Sequence, residues 1–185
     1  TGTKLCYNRI NVQNARRNRK NKINIRKITL TGIFIAISVI GSLFSFPVLG
    51  SKCAPIQHLM NIMGAVFLGP WYTLAAAFIT SILRNLLGLG TLMAFPGSMC
   101  GALLSGILYY YSKKLYLAYI GEVIGTGIIG GLLAYPVAAF VLGNTQAAVF
   151  AFVVPFLIST CGGAVLAVII VGGMKKSGIM ERFDF

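Results

Sequence analysis

Three polar residues stand close together in an otherwise apolar stretch of this sequence: Gln57, His58 and Asn61. At about 100° of rotation per helical residue, their side chains share one face of a helix. An ionisable group near the centre of a bilayer costs at least about 2.5 kcal/mol, so such residues usually face a cavity or a partner. The trio therefore predicts a patch that can hydrogen-bond a solute. A hydrogen-bonded interior histidine is the alternative interpretation of His58.

Two further polar positions lie in apolar segments, at Arg84–Asn85 and at Glu122. Arg84 and Asn85 are expected roughly 20 Å from the inner end of their helix, toward the outside. There Arg84 could face a solute or extend to the outer headgroups. Glu122 lies about a turn and a half from the inner end of its own helix, which argues against an ion pair with Arg84. Contact with Lys113 or Lys114, a capping role and a contact with a partner subunit are the alternatives for Glu122.

Tyr135 completes the candidate site. Its hydroxyl needs a hydrogen-bond partner in apolar surroundings, and it directly precedes Pro136. Phe95, Phe152 and Phe156 could wall a pocket for a flat ring, but phenylalanine in a membrane helix is usually core or lipid-facing. Of the aromatic residues, only Tyr135 is therefore included.

The elements that position these residues are predicted to be transmembrane helices. Hydrophobic residues make up 57% of the chain, charged residues 10%, and the mean hydropathy is +0.83, which excludes an ordinary soluble domain. A helix needs roughly 20 apolar residues to cross a bilayer. The sequence predicts an all-α bundle of six spans, at Ile28–Phe46, Pro55–Gly69, Trp71–Leu87, Leu92–Tyr111, Leu117–Leu142 and Ala147–Gly173.

Basic residues predict the orientation of these spans and the domain boundaries. Six spans with the N-terminus inside leave only Lys52 and Arg84 toward the outside, so both termini are predicted to be cytoplasmic. Residues 1–27 are expected to form a flexible basic tail, 28–174 the membrane domain and 175–185 a short cytoplasmic tail. The net charge of +13 lies mostly in the first tail and fits an orientation signal that touches anionic lipid, not nucleic acid.

Several reaction classes lack their residues in this sequence. The chain has no G-x-x-x-x-G-K-[ST] loop for ATP, and neither H-E-x-x-H nor G-x-S-x-G occurs. Its four cysteines show no metal-ligand spacing. One histidine and one carboxylate within the spans are few for catalysis but adequate for recognition. We therefore expect a binding protein that is not an enzyme and holds no metal or cofactor.

Several runs together resemble the ThiW family. They are Lys-Cys-Ala-Pro-Ile-Gln-His-Leu-Met-Asn at 52–61, Gly-Pro-Trp-Tyr at 69–72, Thr-Ser-Ile-Leu-Arg-Asn-Leu-Leu-Gly at 80–88, Ala-Phe-Pro-Gly-Ser at 94–98 and Gly-Glu-Val-Ile-Gly-Thr-Gly at 121–127. The resemblance extends over about residues 27 to 175. The long basic tail is not part of the family pattern.

The resemblance implies a function. Members of this family are the substrate-binding S components of energy-coupling-factor transporters, assigned to the thiamine precursor hydroxyethylthiazole. It implies a bacterial plasma-membrane protein that works with a transmembrane coupling subunit and two cytoplasmic ATPases. S components resemble one another in an Ala-x-x-x-Ala-like contact on the first helix, and Gly32-x-x-x-Ala36 is the nearest match here.

The resulting hypothesis is that Lys52 and the outer loop Pro47–Ala54 close over a pocket lined by the polar residues named above. An S component for thiamine or hydroxymethylpyrimidine and a stand-alone secondary carrier are the alternatives. A membrane-embedded enzyme using His58 and Glu122 is a competing class. The predicted depths of those two residues, one near the outer face and one near the inner, argue against it.

Overall fold

The computed structural model of the protein describes residues 25–48, 51–141 and 150–178. This part of the chain is all-α apart from one short hairpin. Most of the predicted N-terminal tail and the last residues of the predicted C-terminal tail lie outside the described residues. So do the predicted end of the fifth span and start of the sixth.

Six helical segments follow one another in the described residues, each at the place of a predicted span. The first ends in a short 3-10 turn at Ser42–Phe44, and the fifth contains a π-helical stretch at Val123–Gly130. The bounds are α1 Ile25–Phe44, α2 Pro55–Phe67, α3 Pro70–Leu86, α4 Ala94–Ser112, α5 Leu115–Phe140 and α6 Val153–Lys176.

Helix boundaries follow local chemistry. Pro55 and Pro70 occupy the first turns of α2 and α3, where the missing N–H is not needed. Gly69, between these two helices, adopts a positive φ of 86°, which glycine tolerates without a Cβ clash. The predicted break at Gly69–Pro70 is confirmed.

Three of the helices are long and apolar enough to cross a membrane: α1, α5 and α6. Helix α2, with 13 residues, is only about 20 Å long. A bilayer core is about 30 Å thick, so this helix alone does not reach across it. The structure thus has helices suited to a membrane protein, whereas the count of six crossings stays a prediction.

A two-stranded antiparallel hairpin stands where the sequence predicts a loop. Strand β1 comprises Phe46–Val48 and β2 Ser51–Cys53, with Pro47 opposite Lys52. Because α1 ends at Phe44, two residues before the predicted end of the span, these residues are free to pair. The hairpin leads directly into α2 and so covers its first turn.

Helix α4 lies at the centre of the bundle and packs against α2, α3 and α5, while α6 packs against α2 and α5. Small residues permit the close contact between α4 and α5. A Cβ on Gly125 would lie 2.7 Å from the Cα of Gly101, and one on Gly121 would lie 2.8 Å from the Cα of Ser105. Such spacing of small residues is typical of close helix packing in membrane bundles.

Candidate functional site

The polar patch on α2 faces the interior of the bundle. Gln57, His58 and Asn61 are 2%, 7% and 4% exposed, which confirms that the three side chains belong to a buried face. Their contacts divide between two neighbouring helices. His58 and Asn61 reach Glu122 on α5, and Gln57 reaches Arg84 on α3.

Glu122 is fully buried, and one of its oxygens collects three hydrogen bonds. His58 Nδ1 lies 2.9 Å from Oε1, Asn61 Nδ2 donates to it at 3.0 Å and Thr126 Oγ1 at 3.1 Å. Thr126 is four residues after Glu122, within the π-helical stretch of α5. We call these four residues the carboxylate cluster. Its three donors compensate much of the cost of burying a carboxylate.

The predicted separation of His58 from Glu122 is wrong, since their side chains are in direct contact. The depth estimate placed the start of α2 at the outer surface. In the structure α2 is only 13 residues long, and His58 and Glu122 lie at one level of the bundle. Their separation is therefore no argument against catalysis by this pair.

Two of the other roles considered for Glu122, a contact with Lys113 or Lys114 and a capping role, do not apply within the described residues. The ammonium groups of Lys113 and Lys114 lie over tyrosine rings instead, 5.3 Å from the centre of Tyr110 and 6.0 Å from that of Tyr116, respectively. Glu122 caps no helix end, because α5 continues through it.

The contact of Nδ1 with Glu122 directs the other ring nitrogen of His58, Nε2, away from the carboxyl group. If Glu122 is ionised, it only accepts hydrogen bonds, so Nδ1 of His58 donates to it. In the neutral imidazole, Nε2 is then the acceptor. His58 also lines the cavity described below, so Nε2 is the nitrogen left for a ligand. A carboxylate that is hydrogen-bonded to one ring nitrogen of a histidine selects which nitrogen carries the proton and fixes the orientation of the ring.

Arg84 is 3% exposed and lies inside the bundle, so the alternative that it extends to headgroups is wrong. Its Nη1 donates to Gln57 Oε1, and Nη2 donates to the carbonyl of Leu89 at 3.5 Å.

Asn85 points elsewhere. Its amide donates to the carbonyls of Ser81 at 2.8 Å and Thr91 at 3.3 Å, and so holds the connection between α3 and α4.

The hairpin is attached to two parts of the bundle through its second strand and the residue that follows it. Lys52 Nζ donates to the carbonyl of Gly88 at 2.8 Å, which joins the hairpin to the α3–α4 connection. On the other side, Cys53 Sγ donates to the carbonyl of Pro155 at 3.2 Å, and the N–H of Ala54 donates to Ser159 Oγ at 2.9 Å. The hairpin thus forms a cover held by α6 and by the α3–α4 connection.

A cavity lies beneath this cover. Its empty volume is about 310 Å³ including the mouth, but the enclosed part has room for only about one or two water molecules. A larger ligand can enter only if the cover or the lining side chains move. The lining residues are Lys52, Ala54, Gln57, His58, Arg84, Ala94, Gly97, Ser98, Thr126, Phe156 and Ser159.

The structure assembles most of the predicted site. Lys52, Gln57, His58 and Arg84 line the cavity, with Asn61 and Glu122 bonded behind His58. Asn85 and Tyr135 do not line it, and Tyr135 is only partly buried in α5. A substrate contact of Tyr135 therefore stays a prediction.

Three lining hydroxyls were missed: Ser98, Thr126 and Ser159. Thr126 could have been found, since residues four apart meet on a helix and Glu122 was already a candidate. Ser98 stands in one of the family runs and bonds Ser81 Oγ at 2.8 Å. Ser159 stands in a long apolar segment without any sequence signal.

Gly32 and Ala36 are both exposed on α1, among exposed isoleucines such as Ile33 and Ile37. A Cβ added to Gly32 would meet nothing within 4 Å in the described residues. This surface of α1 is therefore open. Its use as a partner contact stays a prediction.

Fold and site together define a class: an all-α protein with helices apolar enough to cross a membrane and a small polar cavity between them. A family profile described as thiamine-precursor transporter protein (ThiW) matches residues 28–177, most of the chain, and the chain belongs to this family. The resemblance seen in the sequence is confirmed, and the family is one of transporter components. No curated protein and no solved structure matches the chain.

Proposed function

We propose that this chain is the membrane-embedded S component of an energy-coupling-factor importer and binds hydroxyethylthiazole for uptake. The observation that carries the proposal is the cavity beneath the hairpin, where buried donors and acceptors surround a small space under the cover. Membership in a thiamine-precursor transporter family supports the substrate class. Domain 28–174 then provides six spans in a bacterial plasma membrane, with both termini cytoplasmic.

The proposed contacts follow from the chemistry of the lining. His58 Nε2, oriented by Glu122, accepts the hydroxyl hydrogen of the ligand, and Phe156 packs against its ring. Gln57 and Arg84 supply further donors. An unmatched buried polar group costs about 1–3 kcal/mol, which suffices to select against analogues without the hydroxyl.

The enclosed space is smaller than a substituted thiazole ring, and in this proposal the hairpin moves to admit the ligand. The Lys52 bond to Gly88 is the natural point of release. It lies at an exposed side chain, where such a bond contributes little free energy, whereas the bonds to α6 are buried. Contacts between the ligand and the cavity lining then replace the contacts that the hairpin loses when it opens.

The energy for release comes from partner subunits in this proposal, because the sequence contains no ATP-binding loop. A transmembrane coupling subunit and two ATPases fill that role. The open surface around Gly32 and Ala36 is the proposed contact for the coupling subunit, since small residues allow close helix approach in lipid.

Calorimetry on the purified chain tests the substrate. Hydroxyethylthiazole, the pyrimidine precursor, thiamine and riboflavin are titrated separately, and only hydroxyethylthiazole is expected to bind. Binding of another vitamin alone refutes the substrate assignment and retains the transporter class. Copurification with coupling and ATPase subunits tests the partners.

A stand-alone secondary carrier is the second candidate, favoured by the buried His58–Glu122 pair, which could exchange a proton during transport. Vesicles that contain this chain alone and no ATP discriminate the two. Uptake driven by a pH gradient supports the carrier, and uptake only with ATP and the partner subunits supports the importer.

A further inference from the structure

Two cations meet at the hairpin end of the cavity. Lys52 Nζ bonds the carbonyl of Gly88, and Arg84 Nη2 lies 3.5 Å from the carbonyl of the next residue, Leu89. Both side chains line the cavity. The connection from α3 to α4 thus brings an ammonium and a guanidinium to one place.

No carboxylate in the described part of the chain balances these charges. Glu122 is the one acidic residue there. Its Oε1 contacts His58, Asn61 and Thr126, its Oε2 has no hydrogen-bond partner in this part of the chain, and neither oxygen bonds Arg84 or Lys52. The other two acids of the chain, Glu181 and Asp184, follow the end of α6 in the sequence. The hairpin instead packs on the first turns of that helix, through Pro155 and Ser159.

The same end of the cavity has donors without acceptors. Arg84 Nε and Gln57 Nε2 are buried and have no hydrogen-bond partner within the described residues. Arg84 is 97% buried, since only 3% of it is exposed, and its paired nitrogens bond neutral oxygens. A buried guanidinium bonded only to neutral groups carries a large desolvation cost that an anion would offset.

We propose that Arg84, Lys52 and the Gln57 amide form a subsite for one anionic group, a carboxylate or a phosphate. A guanidinium binds such groups through two parallel hydrogen bonds, and the ammonium adds a point charge. The anion is either a substituent of the captured solute or a free inorganic ion bound beside a neutral solute. The inference rests on the proposed function to the extent that the solute occupies the same cavity.

Calorimetry on the full chain in lipid nanodiscs tests the subsite. Hydroxyethylthiazole is titrated in HEPES buffer of low ionic strength, then with acetate or inorganic phosphate added, and its phosphate ester is titrated in the buffer alone. An anionic substituent predicts that the ester binds at least about tenfold more tightly than the alcohol. A separate anion predicts that added acetate or phosphate tightens binding of the alcohol by a similar factor.

Variants assign the effect to this subsite. Arg84→Gln removes the charge and is expected to abolish the anion effect, while Arg84→Lys retains part of it. Lys114→Gln is the matched control, because this lysine lies over Tyr116 at the α4–α5 turn, outside the cavity lining. Unfolding curves in the same nanodiscs verify that each variant is folded. If Arg84→Gln does not fold, the anion dependence of the unaltered chain still decides.

The outcomes separate the two proposals. Equal binding of alcohol and ester in every buffer overturns the subsite and leaves the proposed function intact. Binding of inorganic phosphate, lost in Arg84→Gln, with neither thiazole bound supports the subsite and refutes the proposed substrate. If neither anions nor thiazoles bind, both proposals are wrong.

Discussion

The two ends of the cavity differ in how the protein compensates their charged groups. In the carboxylate cluster, three donors on packed helices converge on Oε1 of Glu122, while Oε2 has no hydrogen-bond partner in the described residues. At the hairpin end, Arg84 and Lys52 bond neutral oxygens only, and Arg84 Nε and Gln57 Nε2 have no acceptor in the described residues. The protein thus supplies three donors to the carboxylate but no anion to the two cations. A bound anion is proposed to complete the second end.

This difference predicts where substitutions damage the fold and where they change only binding. Groups in the carboxylate cluster are coupled to one another and to close helix packing. Groups at the hairpin end are attached to a cover and to a chain connection. Substitutions in the cluster should therefore cost more stability than those at the cover.

Replacing Glu122 by alanine is expected to have the largest effect. It leaves the His58, Asn61 and Thr126 donors without their shared acceptor, and breaking a buried pair by removing one partner costs about 3–5 kcal/mol. Thermal unfolding in nanodiscs measures the loss. Ile124→Ala, at a 40% exposed position on the same helix, is the control. Equal unfolding temperatures for the two variants would contradict the structural role of the cluster.

His58→Gln separates binding from stability. Glutamine can still donate to Glu122 but cannot place an acceptor at the position of Nε2, so affinity for hydroxyethylthiazole should fall about tenfold to a hundredfold. The unfolding temperature should fall much less in this variant than in Glu122→Ala. Calorimetry and unfolding on the same preparation give both values. Unchanged affinity would show that His58 does not contact the ligand.

Gly101→Ala tests how tightly the cluster is packed. The added Cβ would overlap Thr126 Oγ1 and lie 2.8 Å from Glu122 Oε2, so both side chains must shift at an expected cost of about 1–3 kcal/mol. Gly172→Ala is the matched control, because its Cβ meets nothing within 4 Å of the described residues. Both substitutions gain the same helix propensity, because alanine favours a helix more than glycine does. Equal stability of the two variants would show that the cluster is loosely packed.

Lys52→Ala should have the smallest effect on stability, below about 1 kcal/mol, since the bond to Gly88 is exposed. The substitution should loosen the cover, and the reactivity of the Cys53 thiol can report this loosening. This thiol is 1% exposed, and burial raises its pKa, so it reacts slowly while the cover is closed. Maleimide labelling of Cys53, with the other cysteines replaced by serine, is expected to quicken several-fold. No change in rate would mean that Lys52 does not hold the cover.

Much of the architecture was predictable from sequence because apolar length and proline position are local signals. The breaks before Pro55 and at Gly69–Pro70, and the close packing through Gly121 and Gly125, follow from residue type and spacing alone. The hairpin was not predicted, since a three-residue strand leaves too short a pattern to recognise.

The sequence predicted which residues lie at the site better than it predicted which of them contact one another. Polar residues in apolar segments identified Gln57, His58, Arg84 and Glu122, all of which lie at or behind the cavity. Their pairing depends on helix depth, and a linear estimate from loop positions placed His58 too far out. Ser159 lies 105 residues after the Ala54 amide that it bonds, a pairing that no local pattern contains.

The most direct test of the central claim is equilibrium binding of radiolabelled hydroxyethylthiazole to the purified chain, compared with the His58→Gln variant. The account predicts saturable binding at one site per chain, weakened by the substitution and unaffected by excess riboflavin. Absence of saturable binding, or identical binding by the folded variant, would contradict it.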